Sequence, residues 1–178
     1  QGNGLGRIRN MLSYALQLRQ SDWVRMGVLE KPDAIIVSSA HPFHFKSMQK
    51  WANHYKAQLI FEVRDLWPLS LSLLLGVSKF HPLCAWLGHL ERHACRHCDT
   101  LVSLLPYALP HFTRRGLQPS KFTHIPNGIE VSSDASKGEP PDYLQDLKSN
   151  GKFIVMYAGA HGKPNALEPL IEAAKLVK

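Results

Sequence analysis

The sequence predicts an α/β protein built on a parallel sheet. Short runs rich in β-branched and apolar residues occur at 34–38, 58–63, 100–103 and 121–125. Between them lie longer segments whose apolar residues recur at helical spacing, at 44–55, 81–97 and 106–115. Where strands alternate with helices, each helix returns the chain to the starting edge of the sheet, so the strands are parallel and the crossovers right-handed. An apolar stretch at 69–77 precedes the second of these helices.

The first helix is predicted over residues 5–20, where apolar residues recur at helical spacing and arginines occupy the other positions. Such a basic amphipathic helix, followed closely by Trp23, is typical of a helix that lies on a membrane surface. A helix that packs on its own sheet and keeps its arginines in water has the same pattern. The sequence leaves both interpretations open.

A second α/β unit is predicted near the end of the sequence. Residues 131–141 are rich in Ser, Gly and Pro, as in a linker, and a short helix is expected at 142–149. The run 153–158 predicts a buried strand, and the helix after it either begins near Pro169 or has an irregular first turn. One strand and one helix cannot close a core, so we expect this chain to be an internal fragment.

Charge and composition indicate which kinds of ligand or surface the protein could bind. The net charge is +7, and it is concentrated in the first 128 residues, which carry +8, against −1 for the remainder. An anionic membrane surface or a phosphate-bearing ligand suits the basic part, although ordinary solubilising charge explains it equally well. Basic residues do not alternate with exposed aromatics, so nucleic acid is not expected. No run reaches the roughly 18 apolar residues of a membrane span, and three cysteines favour a reducing compartment.

The main candidate site follows the strand at 58–63. Glu62, Arg64 and Asp65 crowd into four positions where the strand ends, and ligands of open α/β sheets bind just beyond the carboxyl ends of the strands. Asp65 is a candidate to accept or orient the proton of a hydroxyl group, with its two charged neighbours beside it. A structural Glu–Arg–Asp network that braces the loop is the alternative. His41 follows the neighbouring strand and either shares this crevice or is an ordinary surface histidine.

Two further groups of residues raise the question of a ligand. Gly159 and Gly162 flank His161 before a predicted helix, where backbone N–H groups are suited to a diphosphate; a simple tight turn is the alternative. His89, His93, His97, Cys95 and Cys98 share one predicted helix and suggest zinc. One helix cannot direct all five toward one ion, so we expect no metal site.

Five segments together resemble a known family. In this order, the sequence contains Asn3-x-Leu5-Gly6-Arg7, Lys31-Pro32-Asp33 before a strand ending in Ser38-Ser39-x-His41-Pro42, Phe61-Glu62-Val63-Arg64-Asp65-Leu66-Trp67-Pro68, Ile125-Pro126-Asn127-Gly128, and Tyr157-Ala158-Gly159-x-His161-Gly162. They resemble retaining glycosyltransferases with two Rossmann-like domains, the GT-B architecture. The similarity is greatest to the subgroup that builds O-antigen and capsule repeat units on lipid carriers.

The resemblance implies a domain organisation and a set of site residues. Residues 1–128 would be the later part of the N-terminal, acceptor-side domain, 129–150 the interdomain linker and short helix, and 151–178 the start of the donor domain. The implied site consists of the catalytic residues Asp65, Glu62 and Arg64, the donor-binding residues Gly159, His161 and Gly162, and the acceptor-side residues His41 and Asn127.

The resemblance also implies the reaction. A sugar would pass from a nucleotide sugar to a lipid-linked or polysaccharide-precursor acceptor with retention of configuration, without a cofactor or an obligatory metal. The protein would be cytoplasmic and peripheral at the anionic inner face of the cell membrane. The family's first strand with its glycine-rich turn and its downstream acidic pair are missing, so we expect these 178 residues to transfer no sugar by themselves. A non-catalytic α/β module that binds an anionic ligand or a membrane surface is the alternative function.

Overall fold

In a computed structural model of the protein, four parallel strands form one sheet, in the order in which they occur in the chain. The structure describes residues 5–27, 30–39, 41–129, 139, 141–151, 153–162 and 165–177. The strands are β1 (Ala34–Ser39), β2 (Gln58–Val63), β3 (Thr100–Ser103) and β4 (Phe122–His124). The predicted α/β class with a parallel sheet is therefore confirmed.

Seven helices are formed by the described residues. They are α1 (Leu5–Gln20), α2 (Phe45–Tyr55), α3 (Leu69–Leu75), α4 (Pro82–His97), α5 (Leu109–Arg114), α6 (Asp142–Ser149) and α7 (Glu168–Leu176), with short 3-10 turns at Pro42–His44 and Pro119–Lys121. Helix α5 starts later than the predicted residue 106, since Pro110 occupies its first turn, where a proline is tolerated.

One face of the sheet forms the core. Along β2, Leu59, Phe61 and Val63 are buried, while the residues between them are more exposed. These three side chains pack in one cluster with Phe45 of α2 and Phe112 of α5, and residues of α4 complete it. Sequential parallel strands joined by right-handed crossovers place their connecting helices on the same side, which explains this arrangement.

The opposite face of the sheet is open at β1. Ile36 is 66 % exposed, and Ile60, its neighbour on β2, is only partly buried. Glu62 belongs to this second face, because side chains alternate along a strand and Phe61 and Val63 point into the core. The carboxylate at the end of β2 is therefore separated from the helical layer.

Helix α1 packs on helix α2. The Ser47 hydroxyl donates to the carbonyl of Ala15 at 2.6 Å, and the Trp51 indole donates to the carbonyl of Leu18 at 2.7 Å. Helix α1 is thus held by α2, while its Tyr14 and Leu16 stay exposed. No helix in the described part of the chain is long and apolar enough to cross a membrane.

The chain divides into two units, residues 1–127 and 128–178. The second unit contains α6 and α7, and the strand predicted over 153–158 is not formed there. That prediction was wrong: Phe153 is 93 % exposed and Val155 71 %. An apolar run forms a strand only where a neighbour pairs with its backbone, and no described residue does so. Helix α7 begins at Glu168 and takes Pro169 into its first turn, which confirms one of the two predicted starts.

Candidate functional site

The carboxyl ends of the four strands lie along one edge of the sheet. In the register, Ser39 of β1 is beside Val63 of β2, Val63 is beside Ser103 of β3, and Ser103 is beside His124 of β4. The loops after these strands therefore emerge side by side, about 5 Å apart from one strand to the next. The predicted residues of the first unit lie at this edge: His41 after β1, Glu62 to Asp65 at the end of β2, and Asn127, which is exposed, after β4.

The charged side chains at the end of β2 have no partner in the described part of the protein. Arg64 and Asp65 are exposed in the loop, and Glu62 is partly buried. None of the three makes a side-chain hydrogen bond or ion pair with another described residue. The alternative of a bracing Glu–Arg–Asp network is therefore not formed by these residues. Their charges remain available to a ligand.

A groove of about 280 Å³ adjoins Arg64 and Asp65. Its remaining wall is largely apolar and consists of Leu66, Leu69, Ser70, Leu73 and Leu105. Most of these residues come from the loop after β2 and from helix α3, and Leu105 comes from the loop after β3. A groove lined by a cation, an anion and four leucines suits a ligand that is itself both polar and apolar.

Helix α4 lies close to Pro68, in the turn that follows Arg64 and Asp65. A side chain at Gly88 would place its Cβ 3.7 Å from the Cδ of Pro68 and 3.3 Å from an Nη of Arg115. The distance to Pro68 is an ordinary contact, so the glycine matters mainly for the close approach of the guanidinium. The indole N–H of Trp67, just before Pro68, is buried and has no hydrogen-bond partner among the described atoms.

A buried carboxylate on α4 was not predicted from the sequence. Glu91 of α4 is 3 % exposed, and its Oε1 lies 2.9 Å from Nε2 of His111. Its Oε2 lies 3.0 Å from Nε of Arg115, at an angle outside hydrogen-bond geometry, so attraction between charges is the main interaction there. One signal in the sequence does point to Glu91: it falls on the apolar side of the helical pattern, between Leu87 and Ala94.

His41 is buried and does not have the surface position of the alternative interpretation. Its Nδ1 lies 3.4 Å from Nδ1 of His44, and Nε2 of His44 lies 3.2 Å from the carbonyl oxygen of Ser38. The ring of Tyr14 meets both imidazoles edge-on. Burial lowers the pKa of His44 below its ordinary value, against the opposing effect of the bond to Ser38. Sequence reasoning did not identify His44.

The glycine loop of the second unit forms a tight turn. The hydroxyl of Tyr157 donates to the carbonyl of Ala160 at 3.3 Å, and a Cβ at Gly159 would lie 2.6 Å from that hydroxyl. A side chain at Gly159 would therefore displace the hydroxyl of Tyr157, which is an exposed side chain. His161 and Gly162 are exposed, and α7 begins only at Glu168, whose carboxylate occupies the first turn. The predicted diphosphate contact at a helix N-terminus is thus limited to the loop's own backbone N–H groups.

The cysteines and histidines of α4 face different surroundings. Cys95 and Cys98 belong to the core, where burial raises the pKa of both thiols, that of Cys98 to about 11. His93 instead bonds to Oε1 of Gln49 at 2.7 Å and stacks on His97. The described residues contain no group of three or more His, Cys, Asp or Glu that is arranged to hold a metal ion.

Comparisons with known proteins provide no assignment. No protein-family model matches the chain, and no curated protein or solved structure matches it either. The fold is that of an α/β protein with a parallel sheet, and the end of β2 carries charges that no other described residue pairs, beside a largely apolar groove.

Proposed function

We propose that this chain is part of a retaining glycosyltransferase of the GT-B architecture. It would move a sugar from a nucleotide sugar to a lipid-linked or polysaccharide-precursor acceptor. The observation that supports this proposal best is the combination at the end of β2: Arg64 and Asp65 are exposed and unpaired among the described residues, and an apolar groove adjoins them. The motif from Glu62 to Pro68 supplies the resemblance.

The groove suits the acceptor. The guanidinium of Arg64 would bind an acceptor phosphate, and the leucines would contact the hydrocarbon next to it. Asp65 would accept a hydrogen bond from the attacking hydroxyl and orient its oxygen toward the sugar. Because Glu62 lies on the open face at the same strand end, it would contact the sugar from the side away from the helices.

The reaction exchanges one bond at the anomeric carbon of the sugar. The bond to the diphosphate oxygen breaks and its electron pair leaves with the diphosphate, while the acceptor oxygen bonds to the same face of the sugar. The proton of the acceptor hydroxyl passes to Asp65. The turn at Gly159, His161 and Gly162 would contact the donor diphosphate through backbone N–H groups and an imidazole. None of these roles requires a metal ion.

Replacement of Asp65 tests the proposed chemistry. Sugar transfer is measured with the open reading frame that contains these residues, a panel of nucleotide sugars and lipid-linked acceptors. We expect Asp65→Ala to reduce transfer by about 10²- to 10⁴-fold, the usual contribution of a proton-transfer group. Asp33→Ala is the matched control, since Asp33 is an exposed aspartate just before β1, at the opposite end of the sheet. Equal transfer by wild type and Asp65→Ala would remove Asp65 from the chemistry.

A second candidate is a non-catalytic module that binds an anionic membrane surface. The specific observation in its favour is the exposure of Tyr14, Leu16, Trp23 and Met26 in a segment of high positive charge. The same observation supports a peripheral location at the inner membrane face for the enzyme. Sedimentation with anionic liposomes at low and high salt tests membrane binding. Binding by a wild-type protein that transfers sugar from no donor would favour the second candidate.

A further inference from the structure

An apolar pocket lies at the amino end of β1, at the opposite end of the strands from the proposed acceptor groove. Its volume is about 360 Å³, within the range of roughly 300 to 1,000 Å³ that is usual for small-molecule sites. Helix α1 with the turn after it, the start of β1 and one side of α2 form the wall, which includes Leu18, Trp23, Val24, Ile35, Met48 and Trp51.

The polar side chains of this wall are already bonded or are reached by water. The hydroxyl of Tyr55 donates to the carboxylate of Asp22, and the indole N–H of Trp51 donates to the carbonyl of Leu18 at 2.7 Å. The indole of Trp23 is 41 % exposed, so water can reach it. A water molecule deeper in the pocket therefore finds few partners in the described wall, and a hydrocarbon that displaces it gains affinity.

The exposed side of the pocket carries residues suited to a membrane surface. Trp23 belongs to the wall and also reaches solvent, and Met26, in the same turn, is 65 % exposed. An indole with an apolar body and a wet N–H is typical of the boundary between lipid and water. The pocket therefore opens beside side chains that favour the surface of a bilayer.

One cation lies directly beside the pocket. Nζ of Lys50 is 4.1 Å from the centroid of the Trp51 ring and donates to the carbonyl of Arg19 at 3.0 Å. Both of these basic side chains are exposed, so they can meet an anionic headgroup while its tail enters the pocket. Glu30 and Asp33, the acidic residues just before β1, oppose an anion there, but residues 1–60 as a whole hold eight Lys/Arg against three Asp/Glu.

We propose that this pocket binds one acyl chain of an anionic membrane lipid, with the headgroup beside Lys50 and the chain along Met48 and Trp51. The pocket then adds a specific lipid contact to the general attraction between a basic surface and an anionic bilayer. This site goes beyond the proposed sugar transfer and does not depend on it, because the pocket and the acceptor groove have no residue in common.

Photolabelling from the membrane tests the pocket in the unchanged protein. The probe is phosphatidylglycerol with a photoreactive diazirine at the end of one acyl chain, in vesicles of phosphatidylcholine. In a bilayer the chain ends lie near the centre, about 15 Å inside the hydrocarbon core, whereas an interfacial helix enters only about 5–10 Å. A chain withdrawn into the pocket should instead leave adducts on Met48 or Trp51, located by mass spectrometry. Adducts confined to Trp23 and Met26, or no adducts, would overturn the proposal.

A substitution that fills the pocket supplies the second test. Val24→Phe adds a ring to the wall and should abolish the adducts on Met48 and Trp51, while the protein still sediments with the vesicles. Val155→Phe, at a valine that is 71 % exposed in the second unit, is the matched control and should keep the adducts. Undiminished labelling of a folded Val24→Phe protein would overturn the pocket, and the wild-type adducts decide the question if this variant does not fold.

The headgroup and the enzyme activity are separated by two further comparisons. Equal labelling by phosphatidylcholine that carries the same diazirine chain would overturn the preference for an anionic lipid. Absence of sugar transfer by the wild type would count against the glycosyltransferase and leave the labelling result intact.

Discussion

Glu91 is the one buried carboxylate among the described residues, and its surroundings explain why it is tolerated there. A buried charge is costly unless it is paired. The guanidinium of Arg115 lies beside one oxygen of Glu91, and the imidazole of His111 lies beside the other. His111 belongs to α5, and Arg115 directly follows that helix. The side chain thereby ties α4 to α5 and to the residue that follows α5.

Removal of this carboxylate should destabilise the first unit strongly. We expect Glu91→Ala to lower the free energy of unfolding by about 3 kcal/mol, the lower end for a broken buried ion pair, because Arg115 and His111 are partly exposed and regain some hydration. Urea unfolding followed by tryptophan fluorescence measures the loss. The control is Glu30→Ala, at an exposed glutamate, which should change the free energy by less than about 0.5 kcal/mol. Equal effects of the two substitutions would show that the pairing contributes nothing.

Contacts between pairs of side chains could not be predicted from the sequence. Glu91 and His111 are twenty positions apart, and their contact depends on how α4 and α5 pack. His41 and His44 are close in the chain, but the contact between their Nδ1 atoms depends on the turn Pro42–His44. The carbonyl of Ser38 holds the ring of His44 from the other side. In contrast, Asp65 could be placed at the sheet edge in advance, since a charge just after a buried strand has one location in a parallel sheet.

Among the elements, α4 presents two chemically different sides. Its core side carries Ala94 and Cys95, and its other side carries His93, stacked on His97. The pKa of His93 is lowered to about 4, first by burial and then by the positive charges of His97, Lys46 and His89. The helix therefore holds a histidine that stays neutral in the folded protein over a range in which the unfolded chain binds a proton.

This histidine should make stability depend on pH in a defined window. Between the ordinary pKa of 6.5 and about 4, the unfolded chain protonates His93 while the folded protein does not. Stability should therefore fall as pH decreases through this window. We expect His93→Gln to flatten the fall, measured as the urea midpoint from about pH 7 to about pH 5. His124→Gln, at an exposed histidine in β4, is the control for the exchange of a histidine for a glutamine. A slope unaffected by His93→Gln would contradict the assignment.

Two neighbouring residues of strand β1 point to opposite faces of the sheet, and their substitution tests which face is buried. Val37 is 1 % exposed and Ile36, directly before it, is 66 % exposed. We expect Val37→Ala to cost about 2 kcal/mol, from two methyl groups removed from the core and the space that they leave. Ile36→Ala removes more atoms but should cost less than about 0.5 kcal/mol, since its side chain is already in water. Urea unfolding of both variants makes the comparison. A larger cost for Ile36→Ala would mean that the open face is covered in solution.

The elements that were predicted well are those whose signal is local. Helices α1, α2 and α4 and strands β1 to β3 follow from apolar periodicity within single segments. The run 153–158 has an equally strong apolar signal, yet it is not a strand among the described residues. Strand formation depends on a partner. Strand β2 has a partner on each side, whereas the run 153–158 has none among the described residues of its own unit.

At the scale of the whole molecule, the core belongs to the first unit. Every residue of the core cluster lies between Val37 and Leu117, and the four tryptophans all precede residue 127. The second unit, residues 128–178, contributes two short helices, α6 and α7, and neither helix has a buried residue. The proposed acceptor groove and the His41–His44 pair are both contained in the first unit.

Residues 1–127 should therefore fold without the rest of the chain. We expect this shortened protein to retain the urea midpoint of the whole chain, because the described apolar core that supplies most of the folding free energy is unchanged. Tryptophan fluorescence is the appropriate measurement, since all four indoles report on this unit. Val37→Ala should shift the midpoint equally in the short and the full-length proteins, because Val37 belongs to the core cluster of the first unit, which both proteins contain. A short protein that is unfolded without urea would show that residues 128–178 complete the core.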